Sequence, residues 1–297
     1  YVDPVMRHNG SLVKTKGFCT DVIFSQALGW IQQNKDLQAT STGSGKAKPF
    51  FAYISTNAPH SPYIAPEKNR LKFEKLGFNK GGAGFYGMIE NIDENVGRLM
   101  ACLEKWNLNE NTLVIFLSDN GFAKVAFEKG QVGTRDGEPL FAYQAGVKGY
   151  KKSPHEGGTK VPAFFRWKGV IKEGAVCEWL SAHIDILPTL VEIAGGEVPG
   201  KIDGKSLLPL LMDPDAQSDK RNLFFHVGRW GGGKADQSKY DKTAGKAGFA
   251  VRNGRYRLVN HEELYDILSD PGETKNLAAQ KPEIVQTMQA DYDQWWD

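Results

Sequence analysis

Residues 113–121 read LVIFLSDNG, and this stretch is the most informative in the chain. Its apolar, partly β-branched start and its small polar end indicate a buried strand that leads into a polar loop. In open α/β sheets, ligands bind at the carboxyl ends of the strands. Asp119 and Asn120 offer oxygen ligands there, which suit a hard cation such as Ca²⁺ or Mg²⁺. The alternative is a simple turn after the strand.

The composition indicates a globular chain and excludes several function classes. The 297 residues are 40% hydrophobic and 24% charged, enough for one large domain or two unequal ones. The net charge of +2 and the dispersed Lys and Arg residues argue against a nucleic-acid partner. No stretch has the about 20 apolar residues that a membrane span requires. The three separated cysteines suggest neither a disulfide framework nor a zinc site.

The first half of the chain predicts two helices and two strands. Helical spacing of apolar residues predicts a helix over 21–33, with Thr20 as its N-cap, and a longer one over 85–106. A strand is expected over 50–55, and another begins at 113. A strand, a helix and a strand in this order imply a parallel crossover.

The second half predicts a different organisation. A strand is expected over 161–167, and a helix over 185–194 that stops at Gly195-Gly196. Asn253-Gly254 between two apolar runs predicts an antiparallel hairpin. A closing helix should follow over 283–296, and its expected apolar contacts are Ile284, Met288 and Trp295. We place part of an α/β domain over residues 1–215 and a small α+β subdomain over 216–297.

One familiar motif does not fit its context. Residues 82–87 read GAGFYG, which formally satisfies the dinucleotide-binding fingerprint. That fingerprint requires a preceding apolar strand, whereas residues 70–80 are rich in charges. We therefore reject a nucleotide site here.

Three other polar clusters together indicate ester chemistry. They are His60 between two prolines, the pair Asp119 and Asn120, and residues 151–158, which read KKSPHEGG. Each cluster alone fits a loop or a solvated surface. A cation, a His that transfers a proton and a Lys that holds an anionic oxygen are, however, the groups needed to cleave an anionic ester.

The order of these motifs resembles that of the type I sulfatases, arylsulfatase-like members of the alkaline phosphatase superfamily. The resemblance covers nearly the whole chain, and its segments are 50–53, 58–62, 86–93, 118–121, 151–162, 166–167, 182–189, 264–266 and 270–273. It implies an α/β fold: part of an alkaline-phosphatase-like, mostly parallel sheet flanked by helices, followed by a small C-terminal antiparallel sheet with a closing helix.

The resemblance also implies roles for single residues. Asp119 and Asn120 match metal ligands, usually for Ca²⁺, and Lys151 matches a lysine that contacts a sulfate oxygen. The adjacent Lys152 stands where many relatives have Gly, so the choice between the two lysines stays open. His60 matches the histidine thought to protonate the departing alcohol. His155 is expected near the substrate.

Two parts of the family pattern are missing from this chain. The family nucleophile is a formylglycine made from the Cys or Ser of a Cys-x-Pro-Ser-Arg-type motif, and none of Cys19, Cys102 and Cys177 lies in such a motif. An amino-terminal pair of metal-binding aspartates is also not found. We therefore expect a carboxyl-terminal portion of a longer sulfatase, inactive without the missing N-terminal portion. The resemblance suggests an exported protein, either periplasmic, extracellular or lysosomal.

The expected substrate is a small-molecule or carbohydrate sulfate ester. The alternatives are a phosphoester or phosphonate-ester hydrolase of the same superfamily and a non-catalytic remnant. Residues 228–248 are rich in Gly and Lys, which indicates a mobile binding loop or plain disorder. Arg229 and Trp230 in this loop are expected to bind the organic part of the substrate, because an aromatic next to Arg can stack on a ring or a sugar face.

Overall fold

The computed structural model describes residues 1–40, 49–123, 130–143, 145–198, 200–218, 220–226 and 248–296. Its helices are α1 Cys19–Thr40, α2 Glu67–Lys75, α3 Lys80–Lys105, α4 Glu156–Thr159, α5 Ile186–Ile193, α6 Leu208–Met212 and α7 Pro282–Trp296. Its strands are β1 Val5–His8, β2 Ser11–Lys14, β3 Val114–Leu117, β4 Gln131–Arg135, β5 Glu138–Phe141, β6 Ala163–Arg166, β7 Leu223–His226, β8 Phe249–Arg252, β9 Tyr256–Val259 and β10 Glu263–Asp266.

The chain divides into two compact units. Unit 1 consists of Tyr1–Thr112 and Val125–Tyr143, and unit 2 of Leu113–Lys124 and Gln144–Asp297. The predicted boundary between residues 215 and 216 stays a prediction. The α/β class is confirmed, since helices and small sheets occur in both units. Among the described residues, no helix is long and apolar enough to cross a membrane.

Unit 1 is built around α3, which confirms the predicted long helix. It begins at Lys80, five residues earlier than predicted, because the Asn79 side chain caps it by accepting the Gly82 N–H at 2.8 Å. Helices α1 and α2 both pack against α3. The buried amides of Asn91 and Asn95 each donate to Asp21 Oδ1 of α1, at 2.9 and 2.7 Å.

The glycines over residues 82–87 serve helix packing. A Cβ on Gly82 would lie 2.4 Å from the Val132 carbonyl oxygen, and one on Gly84 would lie 2.1 Å from that of Tyr63. Since both contacts are closer than a Cβ tolerates, this face of α3 requires Gly. The motif thus has a structural explanation that needs no nucleotide.

Unit 2 contains the C-terminal sheet, which confirms the predicted hairpin and closing helix. The sheet is antiparallel with the order β10-β9-β8-β7, and α7 packs on it. Its core includes Met288 and Tyr292 from α7, both almost fully buried. Ile284 packs against this core as expected, whereas Trp295 is 41% exposed and stacks on Phe224 at 4.8 Å. Helix α5 also ends as predicted, with Gly195 at φ +71°.

Four predicted details are wrong. Thr20 is not an N-cap, because α1 already begins at Cys19. Residues 50–55 form no strand: their burial alternates as in a strand, but no described segment pairs with them. The parallel crossover therefore fails, and every strand pair in the described residues is antiparallel. Strand β3, predicted to be buried, is half-buried against the single partner β6.

Candidate active site

The loop after β3 presents two oxygen-bearing side chains. The Asp119 side chain is exposed, and within the described part of the chain no Lys or Arg pairs with it. Asn120 donates its Nδ2 to the Gly121 carbonyl at 2.9 Å, which fixes the amide and leaves Oδ1 as its acceptor atom. The donor atoms of the two residues are oxygens, of the kind that a hard cation prefers, and metal binding by this pair stays a prediction.

Backbone hydrogen bonds join this loop to the segment 148–158. The Gly121 N–H donates to the Gly158 carbonyl at 3.1 Å, and the Lys151 N–H donates to the Phe122 carbonyl at 2.7 Å. A Cβ on Gly121 would lie 2.0 Å from the Gly157 carbonyl oxygen, so the close approach requires Gly. The structure therefore brings the loop of the two predicted metal ligands next to the loop of the predicted lysine.

The two adjacent lysines differ in backbone conformation. Lys152 has φ +73°, in the left-handed region that favours Gly, and its side chain is exposed. This explains why a Gly suits that position in the resemblance. Lys151 is half-buried, and no described carboxylate pairs with its amine. The role of Lys151, and the choice between it and Lys152, stay predictions.

A buried carboxylate fixes the ring of His155. The ring Nδ1 contacts Glu273, whose side chain is fully buried and whose other oxygen accepts the Glu156 N–H at 2.9 Å. Because a carboxylate accepts, Nδ1 carries the proton and Nε2 is the remaining reactive atom. A substrate contact of His155 stays a prediction.

Two arginines of the C-terminal hairpin hold Glu156. Arg252 Nε and Arg257 Nη2 lie 2.9 and 2.7 Å from Glu156 Oε1, and Arg257 Nε lies 3.5 Å from Glu273 Oε1. Burial would raise the pKa of Glu156, but the two guanidinium groups hold it below its ordinary value. A paired, charged cluster therefore attaches the segment 154–159 to β8 and β9.

The start of the segment 148–158 contacts β10. Lys148 Nζ donates to the Tyr265 hydroxyl at 2.8 Å and lies 3.3 Å from Glu263 Oε2. The hydrogen bond from Tyr265 helps to hold the pKa of Glu263 below its ordinary value, as does the charge of Lys148. The segment 148–158 is consequently fixed at both ends by the C-terminal sheet.

The sequence analysis assigned no role to His183 and Asp185, two residues that lie near the loop after β3 in the chain fold or fix the segment that contacts it. His183 Nε2 donates to the Ser118 carbonyl at 2.7 Å and so holds the end of β3. Asp185 lies two residues after His183, and its side chain is fully buried. It accepts hydrogen bonds from Arg221 and from the Ala182 N–H. Burial raises and Arg221 lowers the pKa of Asp185, and the net direction is downward. The resemblance over 182–189 contained these residues, although we assigned them no role.

His60 lies in unit 1 on an exposed loop. Its Nδ1 donates to the Ser61 carbonyl at 2.8 Å, and its backbone N–H donates to the Asn57 carbonyl at 2.9 Å. A carbonyl oxygen only accepts, so the proton stays on Nδ1 and Nε2 is available for proton transfer. Whether His60 shares one site with Asp119, Asn120 and Lys151 stays a prediction.

The two substrate-binding residues predicted in the loop 228–248, Arg229 and Trp230, lie outside the described residues. Almost all of the predicted loop lies outside them as well. Among the described residues, no group of three His, Cys, Asp or Glu side chains could hold a metal ion. The three cysteines carry no disulfide.

Comparisons with known proteins agree with the resemblance. The sulfatase family model matches residues 10–196, and a model of the C-terminal part of N-sulphoglucosamine sulphohydrolase matches residues 149–294. A sulfatase of Formosa agariphila is 30% identical over 95% of this chain and 50% of its own length. Human arylsulfatase A is 30% identical over 81% of this chain and 47% of its own length.

Solved structures show the same similarity in the fold. The crystal structure of Ps i-CgsB in complex with k-i-k-neocarrahexaose has a TM-score of 0.77 and 25% identity, and the match covers 98% of this chain and 58% of that one. BT4656, solved with its substrate D-glucosamine-2-N,6-O-disulfate, has a TM-score of 0.61 and 18% identity, covering 100% of this chain and 74% of that one. The chain spans about half the length of the curated relatives that it matches.

Proposed function

The chain belongs to the sulfatase family, and from this premise we propose that the whole protein hydrolyses sulfate esters, with Asp119 and Asn120 as metal ligands, Lys151 as the residue that binds the sulfate and His60 as the acid. The observation that carries the proposal is the pair of hydrogen bonds that joins the loop after β3 to the Lys151 loop. An anionic ester needs positive groups around its sulfate and an acid at its leaving oxygen. The chain contains both kinds of group.

The proposed metal ligands fit a hard cation. Asp119 supplies a carboxylate without a competing cation among the described residues, and Asn120 supplies an amide oxygen. Two oxygens do not complete a Ca²⁺ or Mg²⁺ site, so further ligands come from other parts of the whole protein. When bound, the cation would offset the negative charge of the sulfate. The chain's own contribution is to hold these two ligands in a fixed loop.

Lys151 and His60 have distinct roles in the proposal. Lys151 binds a non-bridging sulfate oxygen through its amine, which offsets charge that grows as the ester bond breaks. With both ring nitrogens protonated, His60 donates the Nε2 proton to the leaving alcohol and becomes neutral, while the Ser61 carbonyl accepts the hydrogen bond of the Nδ1–H that remains. The formylglycine nucleophile implied by the resemblance belongs to the rest of the protein, because no cysteine of this chain lies in the required motif.

The proposed substrate class is a carbohydrate sulfate ester, which the sulfated sugars bound in similar solved structures support. The test uses the whole protein with paired 4-nitrophenyl sulfate and 4-nitrophenyl phosphate assays, followed by a panel of sulfated sugars. We expect sulfate release to dominate and to fall by about 100-fold or more in Lys151→Ala. Preferred phosphate cleavage would instead support the phosphoester alternative. No turnover of any ester would support the remnant.

A further inference from the structure

A cavity of about 430 Å³ lies beside His60 in unit 1. Its polar lining residues include Arg7, Asn57 and Tyr1, and its apolar lining residues include Val5 and Met6 of β1. Such a mixture of a few polar groups and an apolar wall is typical of small-molecule sites.

The wall of this cavity next to His60 is fixed by Tyr1. Its hydroxyl lies 2.9 Å from the Asn57 carbonyl and 2.6 Å from that of His60, and both carbonyls accept. The Tyr1 ring stacks on the buried Phe18 at 5.7 Å. The cavity and the proposed acid are thus held together by contacts within unit 1.

Arg7 is held at the edge of the cavity by its own hairpin. Its Nη1 donates to the Gly10 carbonyl at 3.0 Å, across a turn in which Asn9 and Gly10 have φ +49° and +86°. No carboxylate in the described part of the chain pairs with Arg7. A guanidinium has five N–H donors in a planar fork, so most of the donors of Arg7 remain for an anionic ligand.

From this arrangement we infer that the cavity binds the organic part of the ester and that Arg7 recognises a second anionic group on it. The inference rests on the proposed function, because an acid at His60 must contact the bridging oxygen and the organic part must then lie beside His60. The ligand class is a sugar that carries a further sulfate or a carboxylate. Arg7 is in this account a specificity-determining residue.

The test measures binding separately from turnover. Isothermal calorimetry on the whole protein compares glucosamine 2,6-disulfate with glucosamine 6-sulfate as probes. In the wild type the disulfate should bind more tightly, and Arg7→Gln should lower this preference by about 10- to 100-fold, as expected for lost hydrogen bonds between charged groups. Lys14→Gln is the matched control, because Lys14 carries the same charge on the same hairpin but does not line the cavity.

Each outcome decides the inference. A preference that is unchanged in Arg7→Gln, or lowered equally in Lys14→Gln, would overturn it, and so would the absence of a preference in the wild type. A circular dichroism spectrum equal to that of the wild type shows that Arg7→Gln is folded. Loss of the preference in Arg7→Gln alone supports the subsite even if the protein releases no sulfate, which would count against the proposed function only.

Discussion

Replacement of Arg257 by Met tests the buried ion cluster that supports the Lys151 loop. The Arg257 side chain is 1% exposed and lies 2.7 Å from Glu156 Oε1. Two unit charges at that separation attract by about 6 kcal/mol at an effective dielectric constant of 20. The variant also avoids the cost of burying the guanidinium, and Arg252 remains 2.9 Å from Glu156. We therefore expect a net loss of about 3–5 kcal/mol in the free energy of unfolding, as for other broken buried pairs.

The loss should depend on pH in a defined direction. Because the arginines lower the pKa of Glu156 in the folded state, the paired carboxylate contributes stability above its unfolded pKa of about 4.3. That contribution disappears as the pH falls through the lower pKa of the folded state. In Arg257→Met the pKa of Glu156 rises, so the difference from the wild type should be larger at pH 7 than at pH 4.

The measurement is urea unfolding at both pH values, with amide hydrogen exchange of β8 and β9 as a local probe of unit 2. The control is Lys68→Met, since Lys68 and Glu94 form an ion pair in which both side chains are exposed, by 68% and 41%. The control should unfold close to the wild type. A loss below about 1 kcal/mol in Arg257→Met, within the ordinary range for point mutations, would show that this buried ion pair does not stabilise the fold.

Three further predictions concern the site itself. In the intact protein, Lys151→Ala should lower kcat/KM for a sulfate ester about 100- to 1,000-fold, whereas Lys152→Ala should lower it far less; equal losses would remove the assignment. His60→Gln should lower kcat by about 100-fold or more for alkyl sulfates and much less for nitrophenyl sulfate, whose leaving group needs no acid; equal losses for both would exclude the acid role. Gly121→Ala should cost about 1–3 kcal/mol in urea unfolding, because its Cβ would meet the Gly157 carbonyl at 2.0 Å; wild-type stability would show that the two loops separate easily.

Local patterns in the sequence predicted the elements that depend on local physics. The 3.6-residue spacing of apolar side chains located α3 and α7, and Asn253-Gly254 located the β8–β9 hairpin. The same kind of signal, Asn9-Gly10 and Asp136-Gly137, marked the hairpins β1–β2 and β4–β5, which we did not predict. Those turns have positive φ at both central residues, as the two-residue hairpin requires.

Other features depend on partners that are distant in sequence. The burial of residues 50–55 alternates as in a strand. A strand also needs a neighbouring strand to pair with, and the local sequence does not identify that partner. Glu273 contacts His155, 118 residues away, and Arg257 contacts Glu156, 101 residues away. Only the fold shows that these groups fix the candidate site. The resemblance includes residues 270–273, but it gives no physical reason why Glu273 should be a glutamate.

The most direct test of the central claim is a crystal structure of the whole protein with Ca²⁺ and a bound sulfate ester. We expect Ca²⁺ on the oxygens of Asp119 and Asn120, the sulfate within hydrogen-bond distance of Lys151 Nζ, and the bridging oxygen next to His60 Nε2. A sulfate ester bound elsewhere, with Lys151 or His60 remote from it, would exclude the proposed roles of these residues.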